Sequence, residues 1–176
     1  MNINKFTQNS MLAVQGCEKV ADEYGNQEIE QEHLLYSLLT QDESLILKLM
    51  EKLGIEKTLL IERVEQALRK RPKVQGGQLF IGQNLNKVLI QAEDEAKQMG
   101  DEYVSVEHIF LALLKYANRE VKDIFKEFSI NRENFLRVLS EVRGNQRVTS
   151  DNPEATYDTL NKYGYDLVER AREQKL

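Results

Sequence analysis

The stretch Glu32-His33-Leu34-Leu35-Tyr36-Ser37-Leu38-Leu39 returns as Glu107-His108-Ile109-Phe110-Leu111-Ala112-Leu113-Leu114, an offset of 75 (from 33 to 108). The offset holds without a gap on both sides. Gln8-Asn9 falls on Gln83-Asn84, Glu18 on Glu93, Ala21 on Ala96, Gly25 on Gly100 and Ile55 on Ile130. Where identity fails, apolar character persists: Val14 with Leu89, Ile29 with Val104, Met50 with Phe125, Leu60 with Phe135. Amphipathic helices resemble one another by accident. They do not share glycines, polar dipeptides and turn lengths at one fixed spacing. The chain reads as a tandem duplication, with one copy over about 7–70 and the other over about 82–143.

Each copy carries four apolar stripes of helical period. In the first copy, Phe6, Ala13, Val14, Cys17, Val20, Ala21 and Tyr24 predict a helix over 4–24, ended by Gly25. A short extended link through Ile29 follows. Leu34, Leu35, Leu38 and Leu39 mark the second helix, residues 44–53 the third and 57–70 the fourth. The second copy repeats this order, and no strand of useful length is evident. Ser105 is placed to cap the second copy's second helix through its hydroxyl, and Glu30 holds the same position in the first copy as a weaker cap. Such short helices are marginal in isolation, so their stripes must pack on one another. The expected fold is all-α: two pseudo-twofold related four-helix repeats in one compact domain over 1–144.

The net charge of −5 and pI near 5.3, with Lys and Arg scattered among acids, exclude a nucleic-acid surface. The cluster Arg69-Lys70-Arg71 sits at a helix end, where cations suit the helix dipole. A single cysteine, Cys17, allows no internal disulfide and fits a reducing compartment. No leading apolar run suggests a signal peptide, and none approaches membrane-spanning length. A cytoplasmic protein is expected, without membrane partners.

Chemistry is sparse. There is no G-x-x-x-x-G-K-[ST] loop, no G-x-G-x-x-G and no C-x-x-C. His33 and His108 could be imagined as a metal pair or as acid–base groups with Glu32 and Glu107. Each lies in the first turn of a helix, without a ligand cluster or nucleophile beside it. Half-buried imidazoles that help their helices start are the expectation, with no metal and no catalytic residue. Residues 145–151 are polar and aperiodic and read as a mobile linker, and Asn152-Pro153-Glu154 can begin a further helix that has no counterpart in the repeat.

The doubled Glu-His-(apolar)2 pattern, with Gly100-Asp101-Glu102-Tyr103-Val104-Ser105-Val106-Glu107-His108 and Val142-Arg143-Gly144-Asn145-Gln146-Arg147-Val148, resembles the Clp N-terminal domain. The tail Asn152-Pro153-Glu154 with Lys162-Tyr163-Gly164-Tyr165-Asp166-Leu167 is similar to the disaggregase branch of that family. The resemblance implies a substrate-engaging module that binds unfolded or aggregated polypeptide. It implies that 145–176 are a linker and the start of a missing AAA+ ATPase module. ATP and Mg would belong only to missing modules, so the fragment itself has no cofactor and is not an enzyme. It further implies a monomeric fragment, a homohexameric full-length parent, and work in the stress response with the DnaK chaperone system. Family positions tied to substrate handling fall on Thr7, Leu89, Asp101 and Glu107, around a groove between the repeats. Other groove leucines of the family are polar here, at Gln91 and Glu95. The alternative is a protease-associated unfoldase's N-domain, in which the twin positions Glu32 and Glu107 would receive an adaptor or a phosphoarginine.

Overall fold

A computed structural model describes residues 2–153 and 157. Its helices are α1 (Gln8–Glu23), α2 (Gln31–Thr40), α3 (Leu45–Lys52) and α4 (Lys57–Arg69), then α5 (Gln83–Gln98), α6 (Val106–Lys115), α7 (Arg119–Glu127) and α8 (Arg132–Arg143). The two sets share one order and one core, which runs from Phe6 and Ala13 through Leu38 and Met50 to Phe110 and Phe135. The duplication thus appears as four helices repeated.

The two copies are not side by side. Within each, the first and second helices form the closest pair, α1 on α2 and α5 on α6. The third helix crosses over: α3 packs on α6 and α8, while α7 packs on α2 and α4. Ridges of Leu45, Ile46, Leu49 and Met50 on α3, and of Val121, Ile124 and Phe125 on α7, are therefore buried in part by the other copy. Phe110 of α6 meets Phe125 edge-on at 5.5 Å between ring centres and Phe135 at 4.6 Å, which locks α7 and α8 onto it.

The helix expected over 4–24 starts later. Residues Ile3–Lys5 make one turn of 3-10 helix, Phe6 is extended, and α1 begins after Thr7. The cause is a pairing across the copies. Phe6 bridges Val104 in parallel, with the Thr7 N–H donating to the Val104 carbonyl at 2.9 Å. The same arrangement appears 75 residues on. β1 (Glu28–Ile29) and β2 (Phe80–Ile81) form a two-stranded parallel sheet, with Ile29 opposite Ile81 and the Gly82 N–H donating to the Ile29 carbonyl at 2.8 Å. Each copy's entry segment thus pairs with the other copy's extended link. Two-residue strands carry no periodic signal.

The expectation of a mobile linker at 145–151 does not hold. The Val148 N–H donates to Asp101 at 3.0 Å, and its carbonyl accepts from the Glu102 N–H at 2.8 Å. Arg143 Nε donates to the Gln146 carbonyl, and the Asp151 carbonyl accepts from the Gln8 N–H at 2.7 Å. Val148 is fully buried. The segment lacks periodicity because backbone hydrogen bonds hold it. The helix expected from residue 152 lies almost wholly outside the described residues, as do the tail motif at 162–167 and the start of an ATPase module.

Candidate functional site

The short helices of the second copy meet at turns that leave a gap. Asn118 ends the chain's run out of α6 and caps α7, its side-chain oxygen accepting from the Val121 N–H at 3.0 Å. Ser129, at φ +55°, turns the chain out of α7 toward Ile130. Between α5, α6, α7 and the start of α8 lies a groove of about 540 Å3. Its floor is Leu114, Ala117, Phe125 and Ile130. Its rim is charged. Glu95, only 2% exposed, holds Arg132 by two hydrogen bonds of 3.0 and 2.8 Å, and this planar pair closes one side. The Glu95 carboxylate raises the Arg132 pKa, which keeps the guanidinium charged. The groove sits inside the second copy, not between the copies.

Glu95 and Gln91 fall at the edge of this region. Gln91 accepts from the Tyr116 hydroxyl at 3.4 Å. The floor is supplied by α6, α7 and Ile130. The sequence marked Phe125 as an apolar match of Met50 and Ile130 as the match of Ile55, and drew attention to neither Lys122 nor Lys126. The available signal was Lys122-Asp123-Ile124-Phe125-Lys126, in which two lysines one turn apart flank an aromatic side chain.

The residues singled out from the sequence lie elsewhere, and all are buried. Leu89 is a core side chain with no exposed surface. Thr7, also unexposed, accepts from the Ser10 N–H at 3.1 Å and donates to the Ser10 hydroxyl, which donates in turn to the Val104 carbonyl at 2.8 Å. It caps α1 and ties it to the other copy. Asp101 and Glu107 share Arg143. Asp101 is in direct contact with that guanidinium, while the nearer Glu107 oxygen lies 3.5 Å from it. The second Glu107 oxygen has no hydrogen-bond partner among the described residues. Burial alone would raise the Asp101 pKa, but hydrogen bonds from His108, Arg143 and the Val148 N–H hold it below the usual carboxylate range.

Both histidines are fully buried rather than half-buried. His33 Nδ1 accepts from the Glu30 N–H and His108 Nδ1 from the Ser105 N–H, each at 2.9 Å. Those bonds leave the proton on Nε2, which donates to Asn26 at 2.9 Å in the first copy and to Asp101 at 2.6 Å in the second. The imidazole is a helix-starting device whose second nitrogen pins the turn after the preceding helix. Burial first, and then nearby Arg71, pushes the His33 pKa down from 6.5 to about 4. Among the described residues, no three His, Cys, Asp or Glu side chains gather as metal ligands.

Glu30 exceeds its expected role as a weak cap. One carboxylate oxygen accepts from the Gln31 N–H at 3.0 Å and the other from the Asn84 N–H at 3.1 Å, so a single side chain caps both α2 and α5. Ser105 acts through its neighbour, with its hydroxyl 3.1 Å from His108 Nδ1. Glu32 accepts from Arg71 at 2.7 Å and from the Asn118 side chain at 2.8 Å. Arg71 also donates to Glu28 at 2.8 Å. This role was hidden within a run that looked like dipole-complementing cations. An incoming guanidinium at Glu32 or Glu107 would have to displace Arg71 or Arg143.

Comparison with known proteins follows this geometry. The model of the Clp repeat (R) N-terminal domain matches residues 5–128. The chain is 47% identical over 182 residues to the chaperone protein ClpB of Nitratidesulfovibrio vulgaris, covering 100% of this chain and 21% of that protein. It is 42% identical to ClpB of Gloeobacter violaceus, covering 99% of this chain and 20% of that one. The crystal structure of the Hsp104 N-terminal domain from Candida albicans superposes with a TM-score of 0.73 at 26% identity, covering 84% of this chain and 97% of that one. The chain therefore spans about a fifth of the length of these ClpB relatives, and it aligns with their N-terminal regions.

Proposed function

Given that the chain belongs to the Clp repeat N-terminal domain family, we propose that it captures exposed apolar segments of unfolded or aggregated polypeptide in the groove of its second repeat. It does so as the N-terminal module of a ClpB-type disaggregase. The observation that carries this reading is the groove of about 540 Å3 with an apolar floor of Leu114, Ala117, Phe125 and Ile130, of which Phe125 and Ile130 are each 5% exposed. Fully burying one Leu-sized side chain contributes roughly 1.5–3 kcal/mol. A single groove of this size therefore binds weakly and reversibly, as suits a module that must release its client. In a full-length hexamer, several copies around the ring would raise the local grip through avidity. The ATPase modules would thread the client and the DnaK system would cooperate.

Thr7, Leu89, Asp101 and Glu107 enter this reading as residues that hold the domain's shape, since none presents a side chain to a client. The adaptor or phosphoarginine reading through Glu32 and Glu107 gains no support, because both carboxylates are buried, Glu32 against Arg71 and Glu107 beside Arg143.

The test is an NMR titration of the chain with reduced, unfolded casein. The expected result is chemical-shift change centred on Ala117, Phe125 and Ile130. Shifts absent from those residues, or confined to the first repeat, would remove the groove from this function.

A further inference from the structure

The lining of the groove has a charge opposite to that of the whole chain. Lys115, Lys122, Lys126 and Arg132 face it, against one acid, Glu95, which Arg132 already neutralises. Three exposed lysines remain on a protein of net charge −5. None of the three has an ion-pair partner among the described residues, although Lys115 also lies 5.4 Å from the centre of the Tyr116 ring. Lys122 and Lys126 are one turn apart on α7, a like-charge spacing that destabilises a helix.

The other repeat supplies a control. Seventy-five residues earlier, the places of Lys115, Lys122 and Lys126 are held by Thr40, Leu47 and Glu51. The first repeat's own depression, of about 360 Å3, lies between α1 and α2, and its charged lining is Lys19, Glu23 and Asp42, with no positive excess. One backbone framework thus carries two different charge patterns, so the lysines are not a by-product of the fold.

Resting on the reading of the groove as a polypeptide site, we propose that it selects segments in which an apolar side chain is flanked by aspartate or glutamate. The apolar side chain would sit on Phe125 and Ile130. Its acidic neighbours in the client would lie over Lys115 on one side and Lys122 and Lys126 on the other. Charge of this kind steers encounter and sets preference more than it adds raw affinity, and it is screened over about 8–10 Å at physiological salt.

The experiment compares four synthetic peptides of equal length by fluorescence anisotropy against the full 176-residue chain. Three have one central Phe flanked by Asp and Glu, by Ser, or by Lys. The fourth has the acidic flanks and Gly in place of Phe. At low salt the acidic Phe peptide is expected to bind about tenfold more tightly than the Lys-flanked one, with the gap narrowing sharply at 0.5 M salt. The variant K115E/K122E/K126E, altered only at exposed positions, should reverse the order. Equal binding of the three Phe peptides, with shifts at Phe125 and Ile130, would overturn the selectivity and leave the groove intact. Equal binding of the Phe and Gly acidic peptides would overturn it as well, since simple charge attraction would then suffice. No binding by any peptide, with the groove resonances unmoved, would remove both the selectivity and the groove reading beneath it.

Discussion

Two pairs of residues show how the copies diverged without breaking their shared frame. At the entry to the first helix, one copy has Thr7 and the other Gly82, and at the start of the second helix one has Glu30 and the other Ser105. These choices are linked across the copies. The Glu30 carboxylate occupies the place where a side chain on residue 82 would stand, and it caps α5 in place of the missing hydroxyl. Gly82→Ala would push a methyl group into a carboxylate that is 4% exposed and cannot swing away without releasing two helix caps. The expected loss is about 1–4 kcal/mol in urea unfolding, at roughly 0.5–2 kcal/mol for each of the two caps. His33 supplies a second prediction. It stays neutral in the fold down to about pH 4, whereas the unfolded chain takes up a proton near pH 6.5. Stability is thus full above 6.5 and falls as pH drops toward 4, by roughly 3 kcal/mol. His33→Gln keeps an acceptor for the Glu30 N–H and a donor for Asn26. It should fold and lose that part of the pH slope when urea midpoints are compared at pH 7.5, 5.5 and 4.5. The Asp101 carboxyl acts in a lower window, with its contribution present above about pH 3.8 and lost as pH falls through its depressed folded value.

At the scale of the element, the segment 145–151 behaves as an extra edge of the domain. It is held by Asp101, which answers His108, Arg143 and the Val148 N–H at once. Val148→Asp places a charge in a fully buried site. The segment should detach and become cleavable by protease at 145–151, while far-UV circular dichroism stays close to that of the parent chain. Retained protection would refute the docking. This element also shows what a sequence does and does not make legible. The helices were readable because their stripes repeat at 3.6 and their ends carry Gly25, Gly54 and Gly100. The positions of Leu34 and Phe135 in the core followed directly, whereas Leu89, assigned by resemblance to a groove, is a core side chain. The docked segment, the two-residue strands and the groove were not readable, because each rests on contacts between distant residues. Lys122 and Lys126 drew no reading from the sequence, and only the fold places them in one groove wall with Phe125 and Ile130. Asp101 and Glu107 could be singled out by resemblance, yet their burial against Arg143 depends on where α8 ends.

At the scale of the molecule, the crossed third helices make the copies inseparable. Residues 2–74 alone would leave the apolar faces of α2 and α4 without α7, and α3 without α6 and α8. Each half expressed by itself is expected to show little helix by circular dichroism. Mixing 2–74 with 78–153 should restore the signal, with a melting temperature that rises with protein concentration. Independent folding of either half would show that the crossed packing contributes little. An ancestral single copy wired in this way would have needed a twin molecule to fold, and any substitution in it would have appeared in both mouths of the symmetric pair. Fusion into one chain removed that constraint. Lys115 now stands in one half while Thr40 keeps its place in the other, so one mouth could specialise while its sister remained plain scaffolding.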